Sequence, residues 1–157
     1  MKTILVAGGA GYIGSHTVAL LKEKNYNVIV LDNLSTGHYK AIKNADKIYI
    51  GDLTDQKLLN KIFLENKIDG VIDFAACALV RESMKDPIKY YKNNIESVIS
   101  LLDMMHKHNV NNIVFSSTCA VYGNANTLPI NEETATCPIN PYGDSKLSVE
   151  HLLKWCD

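Results

Sequence analysis

Ile4-Leu-Val-Ala-Gly-Gly-Ala-Gly-Tyr-Ile-Gly-Ser-His-Thr-Val-Ala-Leu-Leu-Lys-Glu-Lys-Asn-Tyr-Asn-Val-Ile-Val-Leu-Asp32, residues 4–32, decides the fold. Ile4–Ala7 is a short, wholly apolar run of the kind a strand needs when both its faces are buried. Gly8-Gly-Ala-Gly11-Tyr-Ile-Gly14 interrupts it, and from Ser15 to Lys22 the apolar positions recur at helical spacing. Asn27–Leu31 is a second apolar strand, and Asp32 closes it 18 residues after Gly14. Strand, glycine turn, helix, strand and terminal acid form the fingerprint of a dinucleotide site. The glycines let backbone approach a pyrophosphate, and the helix start offers unpaired N–H groups at its positive end. A purely structural tight turn is the competing reading. Asp32 is expected to accept from adenosine ribose hydroxyls, and its charge repels a 2′-phosphate, which favours NAD over NADP.

The pattern continues outward. Asn33–His38 is a polar loop, Lys47–Ile50 a short third strand, and Thr54 a candidate cap for a helix with Leu58, Leu59, Ile62 and Phe63 on one face. Gly70–Ala76 reads as a fourth strand. Pro87 suits the first turn of a long helix to about Asn109, with Ile88, Tyr91, Ile95, Val98, Leu101, Leu102 and Met105 as its apolar stripe. Asn112–Ser116 is a fifth strand. A loop with Pro129, Pro138 and Pro141 leads to a last helix carrying Tyr142. Helices between successive strands predict an α/β fold, a Rossmann-type doubly wound parallel sheet in one domain over residues 1–157.

The chain has 157 residues, 46% hydrophobic and 21% charged, enough for a sizeable core. A net charge of −1 with dispersed basic residues gives nucleic acid and anionic membrane no electrostatic handle. Cys77, Cys119, Cys137 and Cys156 lack paired metal-ligand spacing, which predicts a reduced, cytoplasmic chain without a metal. The apolar runs are strand-sized and no leader-length segment follows Lys2, so neither export nor membrane insertion is expected.

Tyr142-Gly-Asp-Ser-Lys146 begins 24 residues after Thr118 of the Ser116-Ser-Thr118 triplet. A Tyr and a Lys four apart on a helix share one face. A free phenol titrates near ~10, so service as a base at neutral pH requires stabilisation of the phenolate. An ammonium one turn away and a hydroxyl donor supply it. Beside a dinucleotide, Tyr142, Lys146 and Thr118 are equipment for taking a proton from a carbinol while a nicotinamide takes its hydride. Taken alone, such a Tyr–Lys pair is ordinary helix surface and the triplet an ordinary turn.

Polar or small groups mark all five strand ends, where ligands bind in such sheets: Gly8–Gly14, Asp32-Asn33, Asp52, Ala75-Ala76 and Ser116–Thr118. Asp52 either accepts from an adenine amino group or caps the following helix. Asn93 either fixes the loop before its helix or lies in solvent.

Residues 8–17, 31–35, 51–53, 90–94, 115–123 and 141–146 resemble the UDP-glucose 4-epimerase family of the extended short-chain dehydrogenase/reductases. The resemblance implies an NAD site lined by Gly8, Gly11, Tyr12, Ile13, Gly14, Asp32, Asn33, Asp52, Leu53, Phe74, Ala75, Ala76, Cys77, Ala78 and Asn93, with Tyr142 and Lys146. It implies that Thr118 and Tyr142 face a UDP-sugar and that Lys146 holds the nicotinamide ribose. The implied reaction interconverts UDP-galactose and UDP-glucose by transient oxidation at C4, the keto sugar swinging to present its other face. It also implies a homodimer through the long helix and the Tyr142 helix. Asp73, Ala78 and Arg81 depart from the family pattern near the cofactor.

The chain has roughly half the length expected of that family. The expectation is therefore a portion truncated before the C-terminal substrate domain, with the fifth strand an uncovered edge and turnover weak or absent. The alternatives are a non-catalytic NAD-binding fragment or another NAD-dependent nucleotide-sugar epimerase or dehydratase. Cys119 and Ala120 stand where a 4,6-dehydratase carries an acid pair, which counts against that branch.

Overall fold

The computed structural model describes residues 1–126 and 128–156. Its strands are β1 (Thr3–Ala7), β2 (Asn27–Asp32), β3 (Lys47–Ile50), β4 (Gly70–Asp73) and β5 (Ile113–Phe115). Its α-helices are α1 (Tyr12–Glu23), α2 (Gln56–Glu65), α3 (Val80–Lys85), α4 (Pro87–Tyr91), α5 (Ser97–Lys107) and α6 (Pro141–Cys156). Short 3₁₀ turns cover Tyr39–Ile42 and Cys119–Tyr122, and a π turn covers Lys92–Glu96. The chain divides into two compact units. The first comprises residues 1–75 and 99–116, the second residues 76–98 and 117–156.

The first unit is one parallel sheet in the order β3-β2-β1-β4-β5, the order a doubly wound dinucleotide fold requires. Its strands are apolar on both faces because both are covered. Leu5, Ala7, Ile29, Leu31 and Val71 point into a core built with Leu59, Ile62 and Phe63 of α2 and Leu101, Met104 and Met105 of α5. Val6, Val28 and Val30 alternate with them and point the other way, onto Val18 and Leu21 of α1. Burial of each such side chain contributes about 1.5–3 kcal/mol, so this two-sided packing outweighs any single polar contact in the unit.

Three local expectations are corrected. The cap of α2 is Asp55, whose carboxylate accepts the N–H groups of Lys57 and Leu58 at 3.0 Å each. Thr54 instead gives its N–H and hydroxyl to Asp52, so Asp52 closes a turn rather than capping the helix. β4 ends at Asp73 because that carboxylate accepts the N–H of Ala75 (2.9 Å), which turns the chain out of the ladder.

The single helix expected from Pro87 to Asn109 is divided by its π turn. Tyr90, Asn94 and Val98 are buried, whereas Ile88 is 67% and Tyr91 37% exposed. The buried trio is spaced over eight residue steps in two turns, against about 7.2 for regular α-helix, and the wider turn accommodates the difference. Asn25 and Asn109 take left-handed conformations just past α1 and α5, where asparagine tolerates them.

At the opening ends of β2 and β3, Asp46 accepts the N–H of Val28 (2.7 Å) and pairs with Lys22 Nζ (2.6 Å). Burial pushes its carboxyl up, but bonds from Lys22 and Val28 and the charge of Lys22 outweigh this and hold it below the ordinary range. Asp46→Asn is expected to lower unfolding free energy at neutral pH by about 1 kcal/mol, a charge-assisted bond discounted for exposure. Because the folded carboxyl titrates below the unfolded one, this contribution is complete above ~3.9 and is lost as pH falls through the folded value. Urea titrations of both proteins should show a gap at neutral pH that closes in acid.

Candidate functional site

In the first unit the glycine turn is shaped by close backbone approach. Gly8 has φ 68°, and a Cβ there would stand 2.7 Å from the Ala75 nitrogen. A Cβ on Gly14 would stand 2.3 Å from the Gly8 carbonyl oxygen. Gly11 differs, because its would-be Cβ meets nothing closer than 3.5 Å, an ordinary contact. It is also the residue from which α1 starts, in extended conformation and without a capping side chain. No acid lies in the first turn of α1, and Tyr12 and Ile13 there are exposed. The start of α1 thus presents its N–H groups and positive dipole end with room in front of them.

Asp32 secures the turn. One carboxylate oxygen accepts the N–H of Ala10 and the other the N–H of Leu34, each at 2.8 Å. Each oxygen retains a lone pair for a further donor. The loop after β2 closes over the turn, with the His38 N–H donating to the Ala10 carbonyl (3.0 Å). Asn33 Nδ2 donates to Asp52 Oδ2 (2.9 Å), clipping the ends of β2 and β3 together. Burial raises the Asp52 carboxyl, but the bonds from Thr54 and Asn33 outweigh it and set the group below the usual carboxylate range. Leu53 puts its side chain into the core, and Phe74 and Ala75 pack against the two cores. Gly8, Gly11, Tyr12, Ile13, Gly14, Asp32, Asn33, Asp52, Leu53, Phe74 and Ala75 therefore all belong to this unit.

Ala76, Asn93, Thr118, Tyr142 and Lys146 belong to the second unit. Thr118 precedes the Cys119–Tyr122 turn and its hydroxyl accepts the Ala120 N–H (3.2 Å). Tyr142 is half-buried in the first turn of α6 and Lys146, one turn on, is buried. Gly143 lies between them because α6 passes very close to the turn after Thr118: a Cβ there would stand 2.6 Å from the Ala120 carbonyl oxygen. Ser117 donates to the Glu150 carboxylate, joining the residue before Thr118 to the turn of α6 beyond Lys146. Tyr91 donates to Asp144. That bond first, then burial, pushes the Tyr91 phenol up.

Asn94, not Asn93, fixes the loop after β4. It is 1% exposed; its Oδ1 accepts the Cys77 N–H (2.8 Å), and its Nδ2 donates to the Cys77 carbonyl (3.1 Å) and to Ser145 Oγ (3.0 Å). Ser145 in turn donates to the Tyr142 carbonyl (2.8 Å). Asn93 reaches this network through Asn94 Oδ1 (3.0 Å). Tyr90, one turn before Asn94, meets the ring of Tyr142 edge-on. Sequence reasoning overlooked Tyr90, Asn94, Gly143 and Ser145. The one available signal was the four-residue spacing of Tyr90 and Asn94 on a helix.

Among the described residues, no cluster of His, Cys, Asp or Glu could hold a metal ion, and no helix is long and apolar enough to cross a membrane. Residues 4–157 match the family described as NAD dependent epimerase/dehydratase. The chain is similar to a UDP-glucose 4-epimerase of Lacticaseibacillus casei, 50% identical over 155 residues, covering 99% of this chain and 47% of that protein. It is also similar to the crystal structure of UDP-glucose 4-epimerase from Brucella ovis in complex with NAD. There the TM-score is 0.95 at 47% identity, covering 98% of this chain and 47% of that one. The Bifidobacterium longum structure, in complex with NAD+ and UDP, gives 0.93 at 45% identity, covering 98% and 48%. The chain spans about half the length of the curated relatives it matches.

Gly8→Ala should lower unfolding free energy by about 3 kcal/mol, combining left-handed strain with a backbone clash. Gly11→Ala should cost less than about 1 kcal/mol, the scale of a weakened N-cap. Urea denaturation of the two variants checks the contrast.

Proposed function

The chain belongs to the NAD dependent epimerase/dehydratase family, and from that premise we propose that it is the NAD-binding and proton-transfer portion of a UDP-glucose 4-epimerase. The observation that carries this is the start of α1, where Gly11 alone in the turn has no protein atom filling the place of its side chain. A pyrophosphate fits there, held by the N–H groups of Tyr12, Ile13 and Gly14, while Asp32 accepts from the adenosine ribose. Asn33, Asp52 and Leu53 take the adenine end. Phe74, Ala75, Ala76, Cys77, Ala78 and Asn93 take the nicotinamide half with Tyr142 and Lys146. When bound, NAD supplies reversible two-electron oxidation of the carbinol carbon.

The second unit's share is acid–base work. The Tyr142 oxygen takes the proton of the sugar 4-hydroxyl and later returns it. Thr118 hydrogen-bonds the same sugar oxygen. Lys146 holds a ribose hydroxyl and places positive charge near the phenolic oxygen. Asn94, Ser145 and Gly143 hold the α6 backbone that carries both groups. Once the keto sugar has turned, return of hydride to the opposite face of C4 and of the proton to its oxygen would invert C4 without net redox change. UDP-galactose and UDP-glucose are the substrates, the site of action is the cytoplasm, and two copies associate through the long helical stretch from α4 to α5 and through α6.

A non-catalytic NAD-binding role is the second reading, since the glycine turn and Asp32 alone would serve it. Three proteins separate the two: this chain, a chimera joining it to the C-terminal half of that relative, and the chimera with Tyr142→Phe. The expected result is NAD binding by all three and UDP-galactose turnover by the unsubstituted chimera alone. Tyr142→Phe should cut kcat by about 10²-fold or more, the usual yield of a general base. Gly11→Ala should weaken NAD binding by about tenfold, measured by calorimetry, while leaving the fold intact. Undiminished turnover with Phe at position 142 would sink the proton-transfer assignment, and a chimera that binds NAD without turnover would favour the binding module.

A further inference from the structure

Tyr90 is the largest fully buried side chain among the described residues, and the chemistry above makes no use of it. Its hydroxyl accepts the N–H of Leu79 (2.9 Å) and shares its proton between the Leu79 carbonyl (2.7 Å) and Glu82 Oε2 (2.9 Å). Burial and then the Glu82 carboxylate outweigh the Leu79 bond and push the phenol up to about 12, so it keeps its proton at working pH. Its ring meets that of Tyr142 edge to face, with centroids 6.4 Å apart and planes at 81°. That is the favoured geometry for an aromatic pair. The α6 backbone fixes the Cα of Tyr142 but leaves two side-chain torsions free, and a ring set rigidly against the phenol removes that freedom.

We propose that Tyr90 is a positioning residue: its buried ring sets the plane of the Tyr142 ring, while its hydroxyl latches the loop after β4. The catalytic meaning rests on Tyr142 being the proton-transfer group; the ring contact itself does not. Two groups from one side chain thus govern two parts of the second unit, and substitution can separate them.

Nuclear magnetic resonance of this chain with ¹³C-labelled tyrosine tests the contact, Tyr142 being assigned by the signal lost in Tyr142→Phe. The wild type should show a cross-ring nuclear Overhauser effect between Tyr90 and Tyr142. Tyr90→Phe, which keeps the ring, should leave the Tyr142 ring signals in place and speed exchange of the Leu79 amide by about tenfold. Tyr90→Leu should displace the Tyr142 ring signals. Absence of the cross-ring effect, or unmoved Tyr142 signals in Tyr90→Leu, overturns the positioning role; unchanged Leu79 exchange in Tyr90→Phe overturns the latch. Should the leucine variant not fold, the wild-type cross-ring effect and the phenylalanine variant decide. In the chimera, Tyr90→Leu should lower kcat about tenfold with KM for UDP-galactose within about twofold, and Tyr90→Phe should restore kcat. Full turnover by Tyr142→Phe would remove the role of Tyr142 and leave the ring contact standing, so the two failures are distinguishable.

Discussion

The left-handed turn at Gly8 is the constraint on which the first unit depends. β1 must leave the sheet beside β4, and it does so with its backbone almost touching Phe74 and Ala75. No side chain fits in that gap, and a φ of 68° is one that residues bearing a side chain rarely adopt. Because Gly8 turns so tightly, α1 begins directly above the end of its own strand, and Gly14 rests on the Gly8 carbonyl. Asp32 and His38 then fasten Ala10 from the neighbouring strand end and its loop. The open place before α1 at Gly11 is the product of crowding everywhere else in the turn.

The second unit is held by different means. The first is fixed by apolar packing on two faces of a sheet, the second by buried polar groups that satisfy one another. Asn94 uses its carbonyl and both amide hydrogens, Ser145 both accepts and donates, and the Tyr90 hydroxyl does the same with Leu79. Such networks are directional, and loss of one member strands another without a partner. Directional bonding suits the helix that, in the function proposed above, holds one phenol and one ammonium in a defined orientation. Apolar contacts permit sliding; the Asn94–Ser145–Tyr142 chain does not.

The parallel sheet was legible because both-face burial leaves continuous apolar runs, and Asp32 with its glycine turn was legible because all its parts lie within 29 residues. The anchorage of α6 was not, since Asn94 and Ser145 are 51 residues apart and neither is unusual alone. Thr54 and Asp55 are both competent caps, and only the backbone path selects the second. The π turn escaped because an apolar period of 3.6 has no mark for one widened turn. Its effect was to exchange Tyr91 for Tyr90 as the inward ring.

The margins of the sheet have a consequence for handling the protein. β3 has four residues and β5 three, and the outer Val114 side chain of β5 is 62% exposed. So few rungs give an incoming strand little to grip, and Lys47 at one flank adds a charge that another copy must meet. Lateral stacking into fibrils is therefore discouraged at both flanks, although Val114 remains greasy to the touch.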